Sequence, residues 1–491
     1  MLFPNALLYF CDRLSGFSTN YFQIESQNQT TAKAGQIVTF DLPANSILNL
    51  PSFTVHFNAS TKGSAADVGA CLPPVRDLFE RIEVSCGGVI LSQGANFANV
   101  MARARDALMG ESFDPVTGHA KIIRKHADYR DYVLGDKENE LDTVTLPAGE
   151  TLFAFHAYEM EGFMSSVDPK LFDSSIIPDL RVRLYMAPNT VLSASKHRNA
   201  EGCQANEFAD QTSDSLTSTL GTGPGRSAGY ATTMADAKYE ITNIVGTIEC
   251  ISLADMTYEN LLASTMQAQG YLEAPFKAYH SFQDTHSGAT RFSVAAQSLD
   301  RVWITWRGTD HAYIDTPILL QTGKTQAGLV VNKDASSNNI APSSKPQPDY
   351  KPRYMYFTEP RTYKADKVSG KITKIQDKGD WKLQLQLNGA YFPQYMANLQ
   401  QLYEISTNST EGRRKNEMSQ VVYRHGNCVQ CFRLNMPDSE LSHTLSGLDT
   451  RAVNLAGYVK TVGADTSTCN VFVECTSTLR IGAGRAIELI V

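Results

Sequence analysis

The most suggestive chemistry in this 491-residue chain lies in its last seventy residues. His425, Cys428 and Cys431 stand together in HGNCVQC, and His443, Cys469 and Cys475 follow. A structural zinc site needs four such ligands, normally a CxxC knuckle in a turn plus a second close pair. Here Cys428 and Cys431 fall in or beside an extended run, and Cys469 and Cys475 share one phase of a strand. The bland reading, small buried hydrophobes, therefore outweighs a metal site, and no metal is expected. Ser193 and Lys196 form an SxxK pair, whose acyl-enzyme chemistry requires the serine at a helix N-terminus and partner motifs downstream. Neither SDN nor KTG is present. Gly323-Lys324-Thr325 resembles the end of a phosphate-binding loop, but the position of its first glycine is Ile318.

Other candidates are weaker. There is no HExxH, no GxSxG and no GxGxxG after a strand. His119, His126, His197 and His311 read as solvated loop residues. A glycosidase carboxylate pair cannot be recognised without geometry. Asn28, Asn58 and Asn408 head glycosylation sequons, which matter only on a secretory route. Arg413-Arg414-Lys415 lacks interleaved aromatics and reads as a solvated loop, not a nucleic-acid site. No catalytic, cofactor-binding or metal residue is assigned, no cofactor is expected, and the chain reads as a non-enzyme.

The elements that would position any such residues are strands. One unit recurs. In 78–109, Ile82, Val84 and Cys86 alternate with Glu83 and Ser85, Gly87-Gly88 supplies a turn, and Val89–Leu91 forms a second short run. Phe97, Val100, Met101, Ala104 and Leu108 then fall at helical spacing. In 381–405, Leu383, Leu385 and Leu387 alternate with glutamines, Asn388-Gly389 turns, and Tyr395, Leu399 and Leu402 restart at helical spacing. Ile82 maps onto Leu383 and Gly88 onto Gly389, an offset of 301. Each helix has a one-sided apolar stripe, expected to pack on its own sandwich.

Further strands are expected at Tyr21–Glu25, around Val38–Leu42 and Phe53–Phe57, at Thr151–Tyr158 and Leu180–Leu184, and at Tyr239–Leu253 with a bulge near Asn243. A linking helix is expected over 254–266. Phe276–Phe282, Phe292–Ala296, Val302–Trp306, 419–424, 428–434, 471–473 and 487–491 continue the β pattern. Residues 110–147, 196–236 and 308–350 carry no periodicity and read as long polar loops. The chain is thus all-β, two antiparallel sandwiches each with a short helix and long surface loops. Their expected extents are 1–258, with an N-terminal arm and the loop 196–236, and 259–491, with the loop 308–350.

Composition narrows the function. A net charge of −7 is mild for this length and excludes a strongly basic nucleic-acid surface. The apolar start MLFPNALLYFC has no basic residues before it and no cleavage site, and no later stretch approaches a membrane span, so a soluble chain is expected. The odd, scattered cysteines (Cys11, Cys71, Cys86, Cys203, Cys250, Cys428, Cys431, Cys469 and Cys475) read as reduced core residues of a protein assembled inside a cell.

Four strings carry a family resemblance: QIVTFDLPANSILNLPSFTVHF near the start, SSIIPDLRVRLYMAP at 174–188, LSGLDTRAVNLAGYV at 445–459, and the closing TLRIGAGRAIELIV. With the duplicated unit, they resemble the double-jelly-roll major capsid proteins of double-stranded DNA viruses, most like those of Polinton-like viruses and virophages. SSVDPK (165–170) and SGLDTR (446–451) look like equivalent corners of the two halves. The resemblance implies two consecutive eight-stranded jelly rolls and a structural role. Three copies would form a pseudo-hexagonal capsomer that tiles an icosahedral virion shell, with loops 196–236 and 308–350 as outer towers. The partners implied are further copies as a homotrimer, neighbouring capsomers, and penton and minor capsid or cement proteins. An internal membrane is left open, and no sequence-specific nucleic-acid binding is expected. The alternatives are a viral or secreted jelly-roll module that binds a glycan or receptor, and a sandwich-fold hydrolase.

Overall fold

The computed structural model describes residues 17–62, 68–71, 73, 75–92, 96–109, 153–196, 238–253, 256–307, 355, 357–360, 364–365, 372–373, 381–410, 423, 425–436, 445–451, 456–464 and 466–491. Two sets of eight strands have one topology. The first set is β1 (Phe17–Glu25), β2 (Ile37–Asp41), β3 (Ile47–Lys62), β4 (Phe79–Cys86), β5 (Val89–Ser92), β6 (Phe153–His156), β7 (Leu180–Met186) and β8 (Lys238–Leu253). They make two antiparallel sheets in the orders β1-β8-β3-β6 and β2-β7-β4-β5. The second set is β9 (Tyr271–His286), β10 (Ala289–Phe292), β11 (Ser298–Arg307), β12 (Lys382–Leu387), β13 (Ala390–Asn398), β14 (Val429–Arg433), β15 (Gly457–Val462) and β16 (Ser467–Gly482). Their sheets run β9-β16-β11-β14 and β10-β15-β12-β13, the same order of first, eighth, third, sixth and second, seventh, fourth, fifth. A final strand, β17 (Ala486–Ile490), pairs with the end of β16.

The repeated unit is where the sequence places it. Helices α1 (Ala98–Met109) and α3 (Leu399–Ser409) each join the fifth strand to the sixth, and their first residues are 301 positions apart. Gly87, Gly88, Asn388 and Gly389 all have positive φ, which the tight turns need and which glycine and asparagine supply at least steric cost. Asn398 caps α3 by accepting a hydrogen bond from the Gln401 backbone. Between the sandwiches runs α2 (Met256–Gln269). The bulge near Asn243 is present: its φ is 52° and the β8–β3 register shifts between Thr242 and Val245. Both quoted corners lie between the sixth and seventh strands of their sandwich.

Some expectations need correction. β13 runs to Asn398 before α3 begins, so Tyr395 is an exposed strand residue, not a helical one. β10 ends at Phe292, and residues 293–296 are irregular where a strand is expected. The Thr151–Tyr158 strand closes at His156 and passes into a 3-10 turn. Tyr423 is helical, not extended. The N-terminal residues 1–16 and the loops 110–147, 197–236 and 308–350 lie outside the described residues.

Inward-facing apolar side chains of each sheet pair fill the core. Phe40 meets Phe53 edge to face and Phe79 stacks on Phe155 in the first sandwich. Trp306 packs edge to face with Trp381 in the second. Deep in this second core, His286 bonds Thr290 at 2.8 Å and Thr461 at 2.6 Å and meets the Trp306 ring.

Two predictions follow from this packing. Burial holds the His286 ring down at about 4, from an ordinary 6.5. The unfolded chain then binds the extra proton between those values, so this contribution is intact above about pH 6.5 and is lost as pH falls towards 4. Equilibrium denaturation should show a loss on the order of 3 kcal/mol across that window, and His286→Asn should flatten it. At the corner of the second sandwich, a Cβ on Gly447 would stand 2.5 Å from the Leu299 carbonyl oxygen, Ser298 Oγ and Asp300 Oδ1. Gly447→Ala should therefore lower stability by roughly 2 kcal/mol in the same assay.

Candidate functional site

The residues with the most suggestive chemistry turn out to be core. Cys428, Cys431, Cys469 and Cys475 are fully buried. Burial pushes the Cys431, Cys469 and Cys475 thiols up, away from the thiolate that a metal or a nucleophile needs. Among the described residues no group of three or more His, Cys, Asp or Glu side chains could hold a metal ion. Only the backbone of His425 is described, in a short strand paired with Phe357–Thr358. Ser193–Lys196 is a strand paired with Val68–Cys71, so Ser193 does not sit at a helix N-terminus. His443, Gly323–Thr325 and Arg413–Lys415 lie outside the described residues. Of the sequon residues, Asn28 bonds the backbone of Ile37 and Thr39, Asn58 is buried, and Asn408 lies on α3, its backbone oxygen accepting from Arg433.

What the structure does build is a seam between the two sandwiches. β11 and β16 are buried on both faces. Val302, Ile304, Trp306, Val471 and Val473 point into the core, yet the alternating residues Trp303, Thr305, Arg307, Asn470, Phe472 and Glu474 are also buried. The cover over that outer face comes from the first sandwich, as α1 and the connection after β6. Phe163 of that connection packs edge to face on Phe276 of β9, with ring centres 5.1 Å apart. Ser166 Oγ accepts the Lys277 N–H at 2.8 Å, and the Asp168 N–H donates to the Pro275 carbonyl at 3.0 Å. The Arg307 guanidinium lies 5.3 Å from the centre of the Phe97 ring, at the start of α1.

Charge holds α1 in place. Arg103 bonds Asp77 at 3.0 Å, Arg76 reaches both Asp106 and the Ala102 carbonyl, and Asn99 donates to the Asp77 carbonyl. Arg105 bonds Glu161 at 2.8 Å, its second terminal nitrogen standing 2.7 Å from the other carboxylate oxygen. On the second sandwich's own side of the seam, Glu474 of β16 accepts from Arg301 and from the Trp303 indole of β11, each at 3.2 Å. Burial raises Glu161, and Arg105 opposes that shift. Desolvation would lower Arg105, but Glu161, Tyr279, Asp106 and Glu474 outweigh it and hold the guanidinium charged.

Among the described residues, the equivalent surfaces of the two sandwiches away from the seam are uncovered. On α3, Gln400, Gln401, Glu404 and Asn408 are exposed. The residues at the same offset on α1 are Asn99, Val100, Arg103 and Ala107, three of them buried and Arg103 half-buried. The inner side of α3 is engaged at the edge of β14, where Ser406 and Ser409 hydroxyls accept the Cys431 and Arg433 N–H groups. Beyond β14 the connection exposes Met436, Leu445 and Leu448. On the first sandwich the outer face of β1-β8-β3 carries Phe17, Tyr21 and Leu171, all exposed, beside half-buried Ile47, Ile251 and Leu253. Tyr21 is 69% exposed there, whereas Tyr279 on the matching outer face of the second sandwich is buried.

No family model and no curated protein matches the chain. Solved structures do. PBCV-1 VP54, fitted into a reconstruction of the virophage Sputnik, superposes with a TM-score of 0.50 over 99% of each chain at 11% identity. The chain has the double-jelly-roll fold. The Faustovirus major capsid protein gives a TM-score of 0.49 at 10% identity, over 98% of this chain and 93% of that one. The mavirus major capsid protein gives 0.42 at 11%, over 99% and 93%. In this double jelly roll, α1 packs beyond its own sandwich and is buried on nearly every side, which corrects the expectation of a one-sided helix. The legible signal was on its partner strands: Trp303 and Phe472 are large apolar residues on the phase that should face water.

Removing one member of a buried pair strands the other, so Glu161→Ala should destabilise the chain by about 3 kcal/mol. Scanning calorimetry should then separate the two sandwiches into distinct transitions, where the parent chain melts as one.

Proposed function

We propose that this chain is the major capsid protein of a double-stranded DNA virus, resident in the virion and assembled inside the host cell. Its role is structural and not enzymatic. The units 1–258 and 259–491 serve as two adjoining blocks of a tile. Three copies form a pseudo-hexagonal capsomer, and capsomers tile an icosahedral shell together with penton and minor capsid or cement proteins.

The observation that carries this reading is the seam and its two exposed counterparts. Within the chain, the helix and following connection of one sandwich cover the outer sheet face of the next. That contact is head-to-tail: the surface used by the first sandwich differs from the surface used by the second. Among the described residues, each chain exposes one helix and connection (α3, Leu445, Leu448) and one sheet face (Phe17, Tyr21, Leu171). A second copy has the complement of both. Head-to-tail contacts close into a ring when the rotation per unit permits, and six sandwiches from three chains give the hexagonal outline. Large exposed apolar groups at matched positions are what an obligate interface requires.

Light scattering on a sizing column should give three times the 54.0 kDa chain mass. Tyr21→Asp and Leu448→Asp, on opposite sides of the proposed contact, should each return the single-chain mass with the fold intact by circular dichroism. A wild-type monomer at high concentration, or trimers in both variants, would overturn the arrangement.

A further inference from the structure

The remaining two sheets, β2-β7-β4-β5 and β10-β15-β12-β13, take no part in the seam through their outer faces. Their strands correspond one to one, so the two faces can be compared position by position. On the first face Arg81, Arg181 and Arg183, its cations among the described residues, each have an anion. Glu83, almost fully buried, accepts from Arg183 at 2.7 Å, Arg81 at 3.1 Å and the Tyr185 hydroxyl at 3.1 Å. Arg181 bonds Asp41 at 2.5 and 3.2 Å.

On the second face two of the three cations are kept, a new one stands in place of an acid, and both acids are gone. By register and offset, Lys382 stands at the position of Arg81, Lys460 at that of Arg183, and Tyr458 at that of Arg181. Gln384 replaces Glu83, and Arg291 replaces Asp41 opposite Tyr458. The four strands ATRF, KLQLQL, AYFPQYMAN and GYVKTV contain no Asp or Glu at all. Arg291, Lys382 and Lys460 enter no ion pair among the described residues, in a chain whose net charge is −7. The Lys460 ammonium lies 5.9 Å from the centre of the Tyr458 ring. Tyr391 and Tyr458 flank Gln386 on the two neighbouring strands, and the shielded Gln386 Oε1 accepts no hydrogen bond. Val462 is exposed beside Lys382.

We propose that this face docks an acidic polypeptide segment of another protein. Unpaired cations on a sheet face, with exposed Tyr391 and half-buried Tyr458 and no acidic residues on its four strands, match the make-up of a protein-binding surface whose partner supplies the negative charge. The Glu83 carboxylate shows, within the same chain, where a carboxylate sits between such cations. A polypeptide also brings N–H donors, which the open Gln386 oxygen can accept. The tyrosines offer rigid apolar surface to the partner's side chains.

The test uses the full chain and a short fluorescent poly-L-glutamate peptide, read by anisotropy at low salt. Binding should weaken steeply as sodium chloride is raised. Arg291→Ala/Lys460→Ala should lower affinity about tenfold or more. Gln384→Glu, which restores the acid of the first sandwich, should lower it about threefold. Both variants should keep the solution mass of the parent, so the result stands apart from the trimer reading. No binding of the peptide, equal affinity in the double alanine variant, or capture of single-stranded DNA or anionic vesicles in preference to the peptide would each overturn the proposal.

Discussion

The organising constraint is the burial of both faces of one sheet. A β-sheet in a two-layer sandwich can leave its outer face to water, and the first sandwich does so along β8, where buried and half-exposed residues alternate. In the second sandwich β16 is buried for thirteen consecutive residues. Polar groups placed on that outer face, such as Glu474, Asn470 and Arg307, need partners once water is gone. Arg301 and Trp303 satisfy Glu474, and Arg307 bonds Asn470 at 3.1 Å. Full burial of Phe472 and Trp303 contributes about 2–3 kcal/mol each. The two jelly rolls are thereby one body, since separating them would expose a sheet built to be dry.

Much of this architecture was legible in the sequence. Period-2 alternation placed the strands, the glycine turns placed the hairpins, and the offset of 301 fixed which strand and helix of one half answers to which of the other. Such signals are local: they depend on one strand's own pleat and one turn's own φ. The seam is not local. Burial of Trp303 depends on a helix, Ala98–Met109, that lies some two hundred residues earlier, and a pattern such as VWITWR reads equally as a strand with one or two dry faces. The errors at Tyr395 and at Phe292–Ala296 have the same origin. At Tyr395 the apolar spacing suited either period, and pairing with β12 decided the outcome. Phe292, Val294 and Ala296 keep the strand spacing and are buried, but strand pairing ends at Phe292. Cys86, Cys250, Cys428, Cys431, Cys469 and Cys475 are buried small hydrophobes, as read, with Cys469 and Cys475 on the inward phase of β16; Cys11 and Cys203 lie outside the described residues.

Duplication lets one half of the chain serve as a control for the other. Inward positions match in kind across the offset: Ile82, Val84 and Cys86 against Leu383, Leu385 and Leu387, all buried. Outward positions diverge, and each divergence has a direction. On α1 the outward residues are Asn99, Val100 and Ala107, small or apolar and dry; on α3 they are Gln400, Gln401 and Asn408, polar and wet. On the sheet faces, Glu83 and Asp41 neutralise their neighbours, while Gln384 and Arg291 do not. A common core demands only volume and apolarity, so it is kept in kind. The outer face of each copy meets a different neighbour, and there the two halves cannot stay alike. The positions at which a repeat departs from its twin thus mark contacts that the twin does not make, and an unneutralised one marks a contact completed from outside the chain.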